Sequence, residues 1–213
     1  EKLQKMIPAE AGHALAQEIQ KKNEQTVKKI GITFDSFLHE ESFFEQGLIE
    51  KTKEILKKKN LTYIKDGALW FKTSNFGDTE DRVLVRSTGE PTYFLSDIAN
   101  FVDKCITKKF NTIINIWGAD HHGYAVRINA SLNALGIKNE RVRIIITQLV
   151  RLIKDGKEVK MSKRAGQFET LDDFVADVGL DAARYFFLEK SPDTHMDFDI
   201  GLAKEQSNKN PVY

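Results

Sequence analysis

Apolar and polar positions alternate along this chain with two different periods, and the change of period marks out its elements. In "IPAEAGHALAQEIQKKNEQTVKKIG", Leu15, Ile19, Val27 and Ile30 recur at helical spacing and predict a helix. Pro8 suits its first turn and Gly31 the position just past its end. The aromatic-rich "FDSFLHEESFFEQG" reads as a connector packed on the core. "LIEKTKEILKKKN" puts Leu48, Thr52, Ile55 and Leu56 on one side of a second amphipathic helix. A strand period follows. In "LTYIKDGALWFKT", Asp66-Gly67 lies between two β-prone runs, the signal of a two-residue hairpin. "DRVLVRSTGEPTYF" repeats the theme with a longer turn around Gly89.

"LSDIANFVDKCITKKF" returns to helix, with Ser96 as candidate N-cap. "NTIINIWGAD", with Ile113, Ile114, Ile116 and Trp117, reads as a buried strand. "GYAVRINASLNALG" aligns Ile128, Leu132 and Leu135 on one helix face and closes at Gly136. "VRIIITQLV" is a second buried strand, "RLIKDGKEVKMSK" carries an Asp155-Gly156 turn, and "LDDFVADVGLDAARYFFLEK" is helical with a break at Gly179. Strand, helix, strand and helix thus alternate through the middle and end. That order predicts a parallel α/β sheet preceded by a β-rich insertion.

Composition narrows the class. At 213 residues and 41% hydrophobic, the chain can bury a sizeable core. No run approaches the roughly 20 apolar residues that span a bilayer, and "EKLQKMIPAE" has no signal-peptide core. The expectation is a cytoplasmic protein without a membrane partner. Cys105 is the sole cysteine, which excludes an intrachain disulfide and a thiolate metal cluster; within "FVDKCI" it reads as a small buried hydrophobe. A formal net charge of +1 means that any anion site must come from local clustering.

Two stretches could carry chemistry. "NTIINIW" runs directly into "GADHHGY". In an open α/β sheet ligands sit at the carboxyl ends of strands. Gly118 and Ala119 let a flat ligand approach the backbone there, and Asp120, His121 and His122 fall at a helix start. Zinc needs three or four converging ligands, whereas adjacent histidines point apart, so no metal site is expected. In "VKMSKRAG", Lys160 and Lys163 are point charges on flexible stems, suited to a triphosphate whose charge shifts to the leaving pyrophosphate. On composition alone a solvated basic loop explains that stretch better. No Gly-x-x-x-x-Gly-Lys-Ser/Thr or Gly-x-Gly-x-x-Gly phosphate cradle occurs.

"KMSKRAG", "WGADHHGY", "TYFLSDIA", "FGDTEDRVLVRSTGE" and "LAKEQSNKNPVY", in their order and spacing, resemble the bacterial-type arginyl-tRNA synthetases, members of the class I aminoacyl-tRNA synthetases. The resemblance covers nearly the whole chain and is weakest before residue 30. It implies the second half of a Rossmann-like parallel sheet with a helical N-terminal segment and a β-rich insertion. The implied division is helical through residues 1–60, the insertion at 61–96, the nucleotide-binding fold with its lysine loop at 97–175, and a helical stem at 176–213. It also implies that arginine attacks ATP, used with Mg2+, to give arginyl-adenylate, which is then transferred to tRNA(Arg). Lys160, Met161, Ser162 and Lys163 match the mobile phosphate-binding loop, with the two lysines in the catalytic role. Gly118, Ala119, Asp120 and His121 match the segment lining the nucleotide and amino-acid pocket.

For arginine itself, the resemblance points to Asp97, with Tyr93 one helical turn earlier as its hydroxyl partner and His121 nearby. A carboxylate can accept two parallel hydrogen bonds from a guanidinium, a fork that lysine cannot present. Read from the residues alone, Asp97 is a first-turn carboxylate favoured by the helix dipole and Tyr93 a packing aromatic. Asp78, Glu80 and Asp81 form an acidic loop without an evident partner, and Asp197 and Asp199 are expected to orient a loop. The family's early His-x-Gly-His element does not occur in the 213 residues. The expectation is therefore a piece of an arginine–tRNA ligase, inactive alone, the alternative being a non-catalytic paralogue that binds nucleotide or RNA.

Overall fold

The computed structural model describes residues 7–159 and 170–213. In chain order the first elements are α1 (Pro8–Lys29), α2 (Glu41–Glu45), α3 (Leu48–Lys58), β1 (Thr62–Lys65), β2 (Ala68–Phe71) and β3 (Arg82–Val85). Next come α4 (Tyr93–Val102), β4 (Ile113–Gly118), α5 (His122–Leu135), β5 (Val142–Thr147), β6 (Val150–Lys154) and β7 (Lys157–Glu158). The last are α6 (Leu171–Val178), α7 (Leu180–Glu189), β8 (Met196–Asp199) and α8 (Ile200–Lys204). They fall into two units, Phe37–Leu149 and Glu1–Ser36 with Val150–Tyr213. Parallel pairing of β4 with β5 and of β6 with β8 establishes the α/β class, and β1-β2-β3 is a separate antiparallel sheet.

In the unit Phe37–Leu149, local chemistry sets the turns. Asp66 and Gly67 both take positive φ, 51° and 73°, as a two-residue hairpin turn between β1 and β2 requires. The core that forms around this hairpin holds Leu56, Phe71, Leu84, Leu95, Ile98, Ile128 and Leu132, all essentially fully buried. Each such side chain stabilises the fold by roughly 1.5–3 kcal/mol. α3 contributes Leu48, Ile49, Thr52 and Leu56, and α5 contributes Ile128, Leu132 and Leu135 before Gly136 closes it at φ 77°.

Three expectations are corrected here. Ser96 is not an N-cap: α4 starts at Tyr93, Thr92 is its cap, and Ser96 lies buried inside the helix. The Thr92 hydroxyl donates instead to the carbonyls of Val83 and Leu84, which ties the helix start to β3. β4 is not buried on both faces. Ile113 and Trp117 pack into the core with Val142 and Ile144, whereas Ile114 and Ile116 are 56% and 67% exposed. Alternate strand residues point to opposite faces, so one packed face suffices to hold β4. The acidic loop is also partnered. Asp78 receives both Nε and Nη2 of Arg82 at 2.8 Å, Glu80 bonds Arg82 as well, and Asp81 accepts from Ser74 and Tyr63.

In the unit Glu1–Ser36 with Val150–Tyr213, β6 is the central strand, flanked by β7 and β8. Asp197 and Asp199, expected to orient a loop, instead stand in strand β8 and hold regular elements. Asp197 pairs with Arg151 across the parallel ladder, and Asp199 caps α8 by accepting from the Leu202 amide. Phe198 is fully buried, ringed by Phe174, Phe186 and Phe187 at centroid distances of 4.7, 5.3 and 5.6 Å. The helix break falls at Gly179, whose φ of 85° and ψ of 153° lie in a region open essentially to glycine alone.

α1 is held at its C-terminal end, where Thr26 and Lys29 donate to Asp172 and Arg184 donates to the Ile30 carbonyl. The expected apolar stripe is consequently buried only in part there, at Val27 and Ile30; Leu15 and Ile19 are exposed. At the start of α6, Thr170 and Asp173 form a reciprocal capping box. Thr170→Ala should cost about 1 kcal/mol of stability, read as a lower urea midpoint at unchanged slope.

Candidate functional site

The end of β4 builds the first part of the site. A single tight turn, Ala119–His121, connects Gly118 to α5. A Cβ at Gly118 would come within 2.7 Å of the Asp120 Oδ1, so a side chain there would have to displace Asp120. The Asp120 and His121 side chains are exposed, with Oδ2 and Nε2 3.7 Å apart. Thr147, at the end of β5, donates to the Trp117 carbonyl and locks the two strand ends together.

From this turn an aromatic cluster reaches toward α4. Trp117, His121 and Tyr124 lie at mutual ring distances of 5.9, 5.8 and 6.1 Å, and Phe94 meets Tyr124 edge-on at 6.3 Å. Tyr124 presents its hydroxyl to α4, where it donates a hydrogen bond to Asp97 Oδ2. Asp97 is half-buried, and burial raises its carboxyl above the ordinary range. The Tyr124 hydrogen bond opposes that rise, as do the fields of His121 and Lys104, while Glu40 reinforces it. The same burial, together with the Asp97 charge, pushes the Tyr124 phenol far up, so it is a fixed donor at any working pH. Burial also lowers the Lys104 ammonium. One turn on from Asp97 and from Tyr124, the Asn100 Oδ1 and Arg127 Nε are buried without a hydrogen-bond partner among the described residues.

The structure brings Asp97 and His121 to one cluster through Tyr124, which touches both. Gly118 and Asp120 belong to the adjoining turn. Tyr93 stands apart from that network: it is 78% exposed at the first position of α4 and lines a pocket of about 270 Å³ with Glu40, Phe44, Arg86 and Glu90. Lys160, Met161, Ser162 and Lys163 lie outside the described residues. Reasoning from sequence missed Tyr124, Glu40 and Lys104. For Tyr124 the signal was present in "GADHHGY", where an aromatic three residues past His121 shares its helix face.

The arrangement can hold a cation. A half-buried carboxylate, held by one phenol and surrounded by aromatic rings, suits a planar positive group that stacks and donates paired hydrogen bonds. Among the described residues no three His, Cys, Asp or Glu side chains converge on a metal position. No helix among them is long and apolar enough to cross a membrane.

Residues 6–205 match the family described as tRNA synthetases class I (R), catalytic domain. The arginine–tRNA ligase of Carboxydothermus hydrogenoformans is 50% identical over 193 residues, covering 89% of this chain and 34% of that protein. The arginine–tRNA ligase of Aquifex aeolicus is 50% identical over 182 residues, covering 85% and 31%. A Campylobacter jejuni crystal structure described as an arginyl-tRNA synthetase superposes with a TM-score of 0.87 at 37% identity, over 96% of this chain and 44% of that one. The Thermus thermophilus arginyl-tRNA synthetase shares the fold at a TM-score of 0.73 and 18% identity, over 95% of this chain and 45% of that one. The chain spans about a third of the length of the curated relatives it matches.

Proposed function

The chain belongs to the class I tRNA synthetase (R) catalytic-domain family, and from that premise we propose that it supplies the arginine pocket and part of the ATP site of an arginine–tRNA ligase. In this reading the carboxylate of free arginine attacks the α-phosphate of ATP, which enters as its Mg2+ complex. Pyrophosphate leaves, arginyl-adenylate remains, and the arginyl group passes to the terminal ribose of tRNA(Arg). No covalent protein nucleophile is required, because positioning and charge stabilisation carry the step. A cytoplasmic location accompanies this role, as does the division of the chain at residues 60, 96 and 175.

The observation that supports the reading is the half-buried Asp97 carboxylate within the aromatic cluster, matched to a guanidinium. Asp97 is assigned to the guanidinium, with Tyr93 and His121 as further arginine contacts. Gly118, Asp120 and His121 are assigned to ATP. Lys160 and Lys163, with Met161 and Ser162 between them, are assigned to the phosphates, the two lysines stabilising charge that develops on the leaving group.

Calorimetry of the chain with L-arginine and with ATP, in separate titrations, tests the proposal. Arginine should bind and lysine should not. A chain that binds ATP or RNA but no arginine supports the non-catalytic binding module instead. Because no His-x-Gly-His element occurs in the sequence, the chain alone should show no arginine-dependent pyrophosphate exchange. Exchange at the rate of an intact ligase overturns that expectation.

A further inference from the structure

Tyr124 is constrained from several sides. Phe94, Trp117 and His121 pack around its ring at 6.3, 5.8 and 6.1 Å, and the Arg127 guanidinium stands 5.7 Å over its face. A ring wedged in this way leaves its hydroxyl one direction, and in that direction lies Asp97 Oδ2. The one side-chain hydrogen bond that Asp97 accepts among the described residues ends on this oxygen. Each carboxylate oxygen can accept two hydrogen bonds, so this contact fixes the carboxylate without saturating it.

We propose that Tyr124 is the positioning residue of the cation site: its hydroxyl pins Asp97 through one lone pair of Oδ2 and so presents the carboxylate, Oδ1 together with the second lone pair of Oδ2, to the incoming guanidinium. The inference rests on the arginine reading above and adds to it a residue that acts on substrate only through Asp97. Two consequences follow from a phenol donor at this place. It sets the plane of the carboxylate, on which a forked pair of hydrogen bonds depends. It also favours the charged form of Asp97 against burial and against the negative Glu40, in company with His121 and Lys104. A neutral carboxyl would accept the guanidinium poorly and would lose its preference for a cation.

The test is Tyr124→Phe in the full chain, which removes one oxygen and keeps the ring contacts, with near-UV circular dichroism to check packing. The first readout is the titration of the Asp97 carboxyl carbon by NMR, which needs no ligand. Its midpoint should move to higher pH. A fluorinated tyrosine at position 124, a stronger donor, should move it the other way. The second readout is L-arginine calorimetry near pH 7, where Kd should rise about tenfold while ATP binding stays within about twofold. An Asp97 midpoint that does not move overturns the proposal, whatever happens to arginine. A midpoint that moves in a chain that never binds arginine leaves the pinning role standing and removes the arginine reading. The two failures are thus separable.

Discussion

Asp97→Asn is expected to raise the Kd for L-arginine by about a hundredfold or more and to leave ATP within about twofold. Asparagine nearly matches the shape of aspartate and keeps an oxygen that can accept from Tyr124, so the cluster of Tyr124, Trp117 and His121 has no reason to rearrange. The charge and the forked acceptor for a guanidinium are what disappear. Hydrogen bonds to charged groups contribute on the order of 1.5–3 kcal/mol each, and two of them amount to at least a hundredfold in affinity. Calorimetry with each ligand in turn reads the split. Equal losses for arginine and ATP would show that Asp97 supports the fold and not the arginine pocket.

The same variant should hold or slightly raise the melting temperature at pH 7. The folded-state pKa of Asp97 lies above its ordinary value because burial disfavours the ionised form. The folded chain therefore binds this proton more tightly than the unfolded chain, and the associated stability fades as pH rises through the folded pKa. At neutral pH the ionised Asp97 is a cost that Asn removes. A site that gains stability when its charge is deleted is one retained for binding.

The largest effect on stability should come from Arg82→Met at the start of β3. The Asp78 side chain is 3% exposed and takes two hydrogen bonds at 2.8 Å from Arg82, plus one from the Thr79 amide. Removing the guanidinium leaves a buried carboxylate without its counter-charge, which typically costs about 3–5 kcal/mol. Asp78→Asn combined with Arg82→Met should recover much of the loss, because no unpaired charge then remains. Urea denaturation of the single and double variants measures both terms, and a loss under about 1 kcal/mol for Arg82→Met would show the pair to be solvated.

The Arg82 hydrogen bonds hold the Asp78 carboxyl at about 2. Its contribution is complete above the ordinary carboxylate value near 3.9 and is lost as pH falls toward 2. The acid branch of the stability curve should therefore be shallower in Arg82→Met than in the unaltered chain, measured between about pH 4 and pH 2.

What the sequence determined by itself is the set of elements whose cause is local. The hairpin turns at Asp66-Gly67 and Asp155-Gly156, the break at Gly179, and the apolar faces of α3 and α5 all follow from spacing and backbone preference among near neighbours. The family was legible for a related reason, since its motifs are short and contiguous.

Tertiary structure decided the rest. Ile114 and Ile116 share the apolar character of Ile113, and only the packing of β4 makes one face wet and the other dry. Asp78 found Arg82 because the loop before β3 folds back on itself. Asp97 met Tyr124, 27 residues away, and not the Tyr93 of its own helix. Helical period tells which residues share a face, but the partner of that face depends on how α4 and α5 pack. That packing is a property of the whole core and of no single segment.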